Sequence, residues 1–398
     1  MPAFLTHWRV LIETARHSQD AGSDLGSLII DATALRRRAH GWSTPPQTSA
    51  AGAVWDTGPL PEIDFRFPGS DISAMAFLGA LAPDMFYYHR SSPGMAGAHP
   101  KGRPGGKRAL SWSDLFHTAH TGELLLTFLE QVALVPSPAL RSQALAFALG
   151  YVSHMAADLA LNPWIDRLAA CLSPRHPHAH ALLAMRLDAY LATTYFHHPR
   201  PGLFRQPWGG YIEPAARSLS QPAAPAAHML QLLAGAAEIY QLGEERTEAL
   251  PRDFLQGLMR LRRMLAGRGK ARWLVQKYER QDRLHKTLEG LQKEAQSAPV
   301  DQVLAYATRL SEHLCRQAIS YYTALRTPSA QASERSSQRA TLHSDLRDWN
   351  LLTGYACADE NAAEPPSSPL HNWTYFRGFW EQHAQGVVQA DQHMLPTS

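Results

Sequence analysis

A histidine and an aspartate stand four residues apart in the most apolar stretch of the chain. His154 and Asp158 lie in residues 139–161, ALRSQALAFALGYVSHMAADLAL, which is apolar on nearly every side of a helix. A spacing of four places both side chains on one helix face, where they can share a cation. Burying the pair is costly unless something compensates both groups, which a divalent metal does directly. A His–Asp hydrogen bond in a core would satisfy the same residues, so both interpretations stay open.

Histidines elsewhere in the N-terminal half favour the metal interpretation. The chain has 20 His in 398 residues, and thirteen of them fall in the first 200. Two imidazoles and one carboxylate form an open zinc set whose fourth position is left for water, and His117, His154 and Asp158 could supply it. His120 lies about one turn beyond His117 and competes for the same role. Further candidates on or beside predicted helices are His7, Asp84 and His180.

Clustered divalent cations are suited to phosphoester hydrolysis. They bind phosphate oxygens, lower the pKa of a bound water and stabilise both the attacking and the leaving oxygen, while a nearby carboxylate accepts a proton. No Ser–His–Asp or Cys–His arrangement and no Gly-rich phosphate loop competes with this chemistry. Lys+Arg 38 against Asp+Glu 35 gives a net charge of only +3, which weakly disfavours a nuclease because a polyanion needs a basic cleft.

The first candidate ligands are expected on an amphipathic helix and at a chain corner. Apolar side chains over residues 3–19 recur at helical spacing and place His7 on that helix. The apolar run SAMAFLGALAPDMFYY follows a Pro-rich and Gly-rich loop, and its Pro83 should mark a helix boundary. Asp84 would therefore stand at the corner of the chain.

Helical patterns also account for the rest of the chain. Ser113 or Asp114 is a candidate N-cap for the helix that carries His117, and Asn162-Pro163 is expected to end the helix of His154. Later helices are predicted over residues 225–245, 251–266, 270–296, 301–326, 335–354 and 372–394. Since no strand-length alternation is found, the predicted fold is all-α.

The composition and the termini suggest a protein of a reducing compartment. The three cysteines are too few and too scattered for a disulfide framework. Charged residues interrupt the N-terminal apolar residues before a signal-peptide core is complete, and no run approaches the length of a membrane span. We therefore expect a cytoplasmic protein without a transmembrane segment, with export by a non-classical route as the alternative.

Four stretches of the sequence together resemble the bacterial zinc-dependent phospholipase C family, whose fold is shared with S1/P1-type nucleases. They are the N-terminal helix with its early His7, FLGALAPDMFYYH, SDLFHTAHTGE and FALGYVSHMAADLALNPWID. The resemblance covers about residues 1–195. It implies a multi-helix phospholipase C/P1 nuclease-like bundle over residues 1–200, with residues 201–398 as a helical extension packed on it and resembling no family.

The resemblance also implies a role for each candidate residue. The ligands that it implies for one zinc are His117, His154 and Asp158. His117 is thereby favoured over His120, its neighbour one turn further on. Asp84 would contact the metal water or act as the general base, and His7 would be a ligand from the first helix.

Two positions depart from the family pattern where a second zinc would bind. Family members supply a His just beyond the H-x-x-x-D helix and an H-x-x-x-E pair on the next helix. Here the first position is Asn162, and the residue four after His180 is Ala184. Asp188 is a poor replacement, because two turns displace it by about 12 Å along the helix axis. The expected count is therefore one to three Zn²⁺ ions, with the second site weakened.

The function that the resemblance implies is a metal-dependent phosphodiester hydrolase of the phospholipase C type. Such an enzyme cleaves the glycerol–phosphate bond of phospholipids at a membrane surface through a zinc-activated water, and nucleic acid is not the favoured substrate. Two alternatives stay open: a degenerate member whose reduced zinc site serves a structural or binding role, and a metal-dependent nuclease or phosphatase. Aromatic residues expected in the core or at a lipid entrance are Trp8, Phe86, Tyr87, Tyr88 and Trp164.

Overall fold

The computed structural model of the protein describes residues 4–20, 72–88, 111–172, 179–194, 225–265, 288–295, 297, 299–346, 348–352 and 355–356. The described chain is almost entirely helical, which confirms the predicted all-α fold. The predicted helix over 372–394, Cys357 and the histidines His176 and His178 lie outside these residues.

Helices make up nearly all of the described elements. They are α1 (Phe4–Asp20), α2 (Ile72–Gly79), α3 (Ala82–Met85), α4 (Trp112–Thr118), α5 (Thr121–Leu134), α6 (Pro138–Leu172), α7 (Ala179–Thr194), α8 (Pro225–Ala236), α9 (Glu244–Leu265), α10 (Leu288–Glu294), α11 (Val300–Arg326) and α12 (Ala332–Leu346). Single 3-10 turns follow α3 and α8, at Phe86–Tyr88 and Ala237–Tyr240. Strands β1 (Trp349–Asn350) and β2 (Tyr355–Ala356) form an antiparallel pair too short to show any alternation in the sequence.

Helix α6 is the centre of the core. It packs against α1, α2, α5, α7 and α11, and its side chains are buried on every face between residues 143 and 165. Within the described chain, Pro138–Ala169 is the single stretch long and apolar enough to cross a membrane, with a mean hydropathy of 1.4. The most apolar window of that stretch is completely buried inside the protein, which is the environment of a core helix.

The expected end of α6 at Asn162-Pro163 is wrong. The helix continues through Pro163 to Leu172, although a proline inside a helix removes one backbone hydrogen bond and typically costs about 3 kcal/mol. Burial of Trp164, Ile165 and Leu168 just beyond the proline offsets that cost. Asn162 therefore lies on the same continuous helix as His154 and Asp158.

Two glycines allow α2 and α6 to cross at unusually close range. A Cβ on Gly79 would lie 2.0 Å from the carbonyl oxygen of Phe147, and a Cβ on Gly150 would lie 1.9 Å from that of Ala76. Any other residue at either position would push the helices apart. The close crossing brings the α2–α3 corner, which carries Asp84, against the helix that carries His154.

Helices from the C-terminal half pack directly on those of the N-terminal half. Helix α11 lies along α6 and α1, α12 packs on α11 and α5, and β1 contacts the ends of α4 and α5. The predicted helix over 335–354 ends earlier than expected, at Leu346, and Asp348 takes a left-handed backbone conformation with φ of 44°. The predicted domain boundary at residue 200 stays a prediction.

Candidate metal centre

Five buried histidine and aspartate side chains converge at the centre of the bundle. Four helices supply them: His7 from α1, Asp84 from α3, His117 from α4, and His154 and Asp158 from α6. Their exposed fractions lie between 0% and 7%. Ionisable groups are almost never buried this completely without a partner that compensates them.

Asp158 faces all three imidazoles of the cluster. Its Oδ1 lies 3.5 Å from His7 Nε2, while its Oδ2 lies 3.2 Å from His117 Nε2 and 3.4 Å from His154 Nε2. Asp84 repeats this arrangement, with Oδ2 at 3.4 Å from His7 Nε2 and Oδ1 at 3.3 Å from His117 Nε2. Each carboxylate thus turns one oxygen towards His7 and the other towards His117.

Backbone carbonyls fix the proton positions of two imidazoles. His117 Nδ1 lies 2.6 Å from the carbonyl oxygen of Ser113, and His154 Nδ1 lies 2.9 Å from that of Ala80. A carbonyl accepts only, so each Nδ1 must donate, and in the neutral ring each Nε2 then presents a lone pair. Carbonyl-anchored imidazoles of this kind are characteristic of metal ligands, because the anchor orients the ring.

The Nε2 atoms of the two anchored imidazoles face each other across the cluster. His154 Nε2 lies 3.2 Å from His117 Nε2, a distance at which two neutral acceptors repel unless a proton or a cation lies close to both. His7 Nδ1 is also buried and has no hydrogen-bond partner among the described residues. With all three imidazoles neutral, as metal ligands must be, the two carboxylates give the cluster a charge of −2, which one divalent cation neutralises. The donor set therefore fits a bound metal.

Two sets of donors satisfy the geometric requirement for a metal. In the described chain these are His7 with His154 and Asp158, and Asp84 with His117 and His154. Within each set the candidate ligand atoms lie within 4.8 Å of one another. Since His154 belongs to both sets and each carboxylate faces two imidazoles, the cluster can hold one ion or two adjacent ions.

The charges within the cluster strongly perturb its pKa values. Burial opposes ionisation of His117, but the hydrogen bonds and charges of Asp158 and Asp84 outweigh it and raise the pKa of His117 to about 10. Burial and the charge of His7 lower the pKa of His154. Burial also opposes ionisation of both aspartates, yet the neighbouring imidazoles hold the pKa of each carboxyl below its usual value.

Contacts between the ligand-bearing elements hold the cluster together. The Ser113 hydroxyl donates to the Pro83 carbonyl oxygen at 2.6 Å, which ties α4 to the corner that carries Asp84. The rings of His7 and His154 stack with centroids 4.1 Å apart. Helix α4 begins with a capping box at Ser111 and Asp114, so the N-cap expected at residue 113 or 114 lies at Ser111.

The structure places His117 in the cluster and His120 outside it. The sequence pattern suggested one helix through both residues, but α4 ends at Thr118 and α5 begins at Thr121. His120 takes a left-handed conformation with φ of 49° between the two helices, and its side chain is exposed. It contacts the ring of Tyr240 and belongs to neither donor set.

His180 is also separate from the cluster. Its Nδ1 lies 2.6 Å from Asp166 Oδ1, and the two side chains are 32% and 34% exposed. Sequence reasoning missed Asp166 as its partner. Asp166 stands eight residues after Asp158 on the same helix. Because the sequence pattern predicts a helix end at Pro163, this spacing does not identify Asp166 as a helical residue near the candidate site.

Asn162 and Asp188 do not join the donor sets either. The Asn162 amide donates to the carbonyl oxygen of Leu351 at 3.0 Å. Asp188 on α7 accepts hydrogen bonds from the backbone and the hydroxyl of Thr6, so it caps the first turn of α1 one residue before His7. Burial raises the pKa of Asp188 to about 7, despite the hydrogen bonds from Leu5 and Thr6 that favour its ionised form.

Four of the five aromatic residues considered for a lipid entrance are core residues. Their exposed fractions are 5% or less: Trp8, Phe86, Tyr88 and Trp164. Tyr87 is half-buried, and its ring centroid lies 5.3 Å from that of His117. Among these five, only Tyr87 has the position of an aromatic group at the edge of the cluster.

Residues 65–202 match the family model for zinc-dependent phospholipase C. This match confirms the resemblance of the N-terminal half to that family and includes every residue of the cluster except His7, which precedes it. It supports a metal-dependent hydrolase of the phospholipase type. Comparison with curated proteins gave no match, and comparison with solved structures gave none.

Proposed function

We propose that the protein is a zinc-dependent phosphodiester hydrolase of the phospholipase C type, with the five-residue cluster as its metal centre. The observation that carries the proposal is the convergence of five buried donors, in which two carbonyl-anchored imidazoles bring their Nε2 atoms within 3.2 Å of each other. Two ring nitrogens at this distance require a proton or a metal cation close to both. The family match over residues 65–202 supports zinc as that cation.

The roles of the residues follow from their positions. His117, His154, Asp158 and Asp84 would hold a first ion, while His7 with the second oxygens of the two carboxylates would hold another. A bound zinc ion supplies Lewis acidity, which lowers the pKa of a water molecule and withdraws charge from the phosphate oxygens. Asp84 is ionised at neutral pH and can accept a proton, but its lowered pKa makes it a weak base. Its first role is therefore that of a ligand.

We infer a site of one or two ions rather than three. The residues that would correspond to the second zinc of the family have other partners here, because Asn162 binds Leu351 and His180 binds Asp166. Two ions would leave the cluster with a charge of +2, which suits a phosphodiester anion. A reduced centre of this kind still provides the two-metal arrangement that stabilises both oxygens of an in-line displacement.

Phospholipid is the substrate class that we propose. The net charge of +3 over 398 residues gives the protein no marked excess of positive charge for a polyanion. Tyr87, half-buried beside His117, offers an aromatic face near the cluster that can contact a cationic head group. The products would be a diacylglycerol and a phosphorylated head group.

Metal analysis followed by two substrate assays tests the proposal. We expect the purified chain to contain one or two zinc ions and to release phosphocholine from phosphatidylcholine vesicles faster than it digests single-stranded DNA. His154→Ala should lose both the metal and the hydrolysis, because it removes the imidazole shared by the two donor sets. His180→Ala is the matched control from the same family motif, and it should retain both.

Each outcome has a distinct meaning. A chain that binds no zinc, even when zinc is supplied, contradicts the proposal. Zinc binding without hydrolysis of either substrate supports the degenerate binding module, and preferential digestion of DNA supports a nuclease. Unchanged zinc content in His154→Ala would show that the cluster is not the metal centre.

A further inference from the structure

His117 lies on a helix that is too short to be stable without contacts from the rest of the protein. Helix α4 has seven residues, well below the roughly 12–15 that an isolated helix needs to be even marginally stable in water. Its first turn is held by the capping box at Ser111 and Asp114. The Ala119 N–H donates to the carbonyl oxygen of Leu115, but the carbonyls that follow have no partner within the helix and need donors from elsewhere.

Residues far along the chain provide those partners. The hydroxyl of Tyr240 lies 2.9 Å from the carbonyl oxygen of Ala119 and 3.3 Å from that of Leu115. The backbone N–H of Leu351 donates to the carbonyl oxygen of His117 itself at 2.6 Å. Both donors lie beyond residue 202, where the family match ends.

Leu351 also bonds to the second ligand-bearing helix. Its carbonyl oxygen accepts the hydrogen bond from Asn162 Nδ2 on α6 at 3.0 Å. Asn162 stands four residues after Asp158, so its side chain extends from the same face of α6 as the ligands. One buried residue, Leu351, therefore links the helix of His117 to the helix of His154 and Asp158 through two hydrogen bonds.

The residues around Leu351 are themselves held in place. We call residues 348–352 the strap. The Thr121 hydroxyl donates to the carbonyl oxygen of Trp349 at 2.7 Å, and the backbone N–H of Glu123 donates to Asp348 Oδ1 at 2.9 Å. Trp349 is 2% exposed and Leu351 is completely buried. The strap is thus fixed at its N-terminal end, before Leu351 bridges α4 and α6.

We propose that Asn162 is a positioning residue of the metal centre, which acts through Leu351 of the strap to hold His117 at its distance from His154 and Asp158. The inference rests on the metal centre of the proposed function. It makes Asn162, which stands where the family has a metal ligand, an anchor for the C-terminal half of the chain. It also makes that half a part of the catalytic unit.

The hydrogen bond from Asn162 gives a buried carbonyl its donor and restrains the position of the strap. Without the Asn162 amide, the buried carbonyl of Leu351 loses a hydrogen bond, and the strap can shift away from α6. The carbonyl of His117 then follows or loses its own partner. Residues that orient metal ligands from outside the coordination shell typically change metal affinity by about 10- to 100-fold when they are replaced.

The test replaces Asn162 with a residue of similar size that cannot donate. In the full-length chain, Asn162→Leu should bind Co²⁺ and Zn²⁺ about 10- to 100-fold more weakly in competition with a chelator. The visible absorption spectrum of the Co²⁺-loaded variant should differ from that of the wild type, because His117 is displaced. Gln143→Leu is the matched control, since Gln143 is a similarly buried amide on α6 and lies outside the cluster. Asn162→Gln, which keeps a donor, should restore part of the affinity.

The outcomes separate this inference from the proposed function. If the wild type binds no Co²⁺, the metal centre itself is wrong. If the wild type binds Co²⁺ and Asn162→Leu binds it with the same affinity and spectrum, only the role of Asn162 is wrong, even if the variant melts at a lower temperature. If Asn162→Leu does not fold, Asp348→Ala decides. This half-buried residue holds the strap from its other end, so several-fold weaker binding supports the inference and unchanged binding overturns it.

Discussion

The protein contains two groupings of histidine with aspartate, and they differ in burial and distance. In the central cluster, five side chains are at most 7% exposed, and their closest ring nitrogens and carboxylate oxygens lie 3.2–3.5 Å apart. In the pair formed by His180 and Asp166, both side chains are about one-third exposed and the atoms lie 2.6 Å apart. The first grouping leaves His7 Nδ1 without a hydrogen-bond partner among the described residues, whereas in the second the two residues hydrogen-bond to each other.

This difference shows what distinguishes a prepared metal centre from an ordinary ion pair. In a short and partly exposed contact the two residues hydrogen-bond to each other, and water can hydrogen-bond to their remaining polar atoms. A buried group of two carboxylates and three imidazoles at intermediate distances instead offers several donors to one central cation. Both groupings consist of histidines and aspartates, so residue type alone does not distinguish them in the sequence.

The largest effect is expected from removing the carboxylate that contacts all three imidazoles. Asp158→Ala should abolish zinc retention and lower phosphodiester hydrolysis by about 10³-fold or more, since a metal ion contributes several kcal/mol and 1.36 kcal/mol corresponds to a factor of ten. Zinc content and initial rates measure the two effects. Asp166→Ala, which removes the aspartate eight residues further along α6, is the control and should retain both. If Asp158→Ala keeps the wild-type zinc content, the central cluster is not the metal centre and does not differ from the His180–Asp166 pair in this respect.

The sequence was sufficient for the parts of the site that depend on local periodicity. His154 and Asp158 lie on one face of an apolar helix, as their spacing predicts, and Pro83 does precede an aspartate at a corner. The choice between His117 and His120 could not be made from spacing, because it depends on a chain reversal at residues 119–120 that interrupts the helical pattern. The family resemblance supplied that choice.

Tertiary contacts decided the rest of the site. The local pattern at Asn162-Pro163 predicts a helix end, but the burial of Trp164 and Leu168 keeps α6 helical and gives Asn162 and Asp166 their positions. The contacts that hold α4 come from Tyr240 and Leu351, which are separated from it by more than a hundred residues. No local pattern identifies such partners, since each is a backbone or hydroxyl hydrogen bond in an unremarkable stretch.

An effect of intermediate size is expected in the number of protons released when zinc binds, which should depend on the central cluster and not on the pair of His180 and Asp166. The pKa of His117 is raised to about 10 by Asp158 and Asp84 despite its burial, so the metal-free imidazole is protonated at pH 7 and must lose that proton to bind zinc. We expect zinc binding at pH 7 to release about one proton from His117. Calorimetric titration in two buffers of different ionisation enthalpy measures this number. His180→Ala should leave it unchanged, whereas release of no proton would contradict the assignment of His117.

The same pKa sets the pH dependence of the metal-free protein. The folded value of about 10 lies above the reference value of 6.5, so protonated His117 stabilises the metal-free fold fully below pH 6.5. That contribution is lost as the pH rises from about 6.5 to about 10. The melting temperature of the metal-free protein should therefore fall over this range, and bound zinc should reduce the fall because the imidazole is then already deprotonated.

The smallest effect is expected at the partly exposed pair of His180 and Asp166. His180→Ala and Asp166→Ala should each lower the free energy of unfolding by no more than about 1 kcal/mol, because water competes with a contact of this exposure. The double variant should cost less than the sum of the two single variants, since the residues contact each other. Chemical denaturation of the zinc-loaded proteins measures these differences, and zinc content should stay at the wild-type value in all three. Loss of one zinc ion in His180→Ala would instead make the pair part of a second metal site. A short contact between partly exposed residues would then be no guide to whether a His–Asp pair is an ion pair or a set of metal ligands.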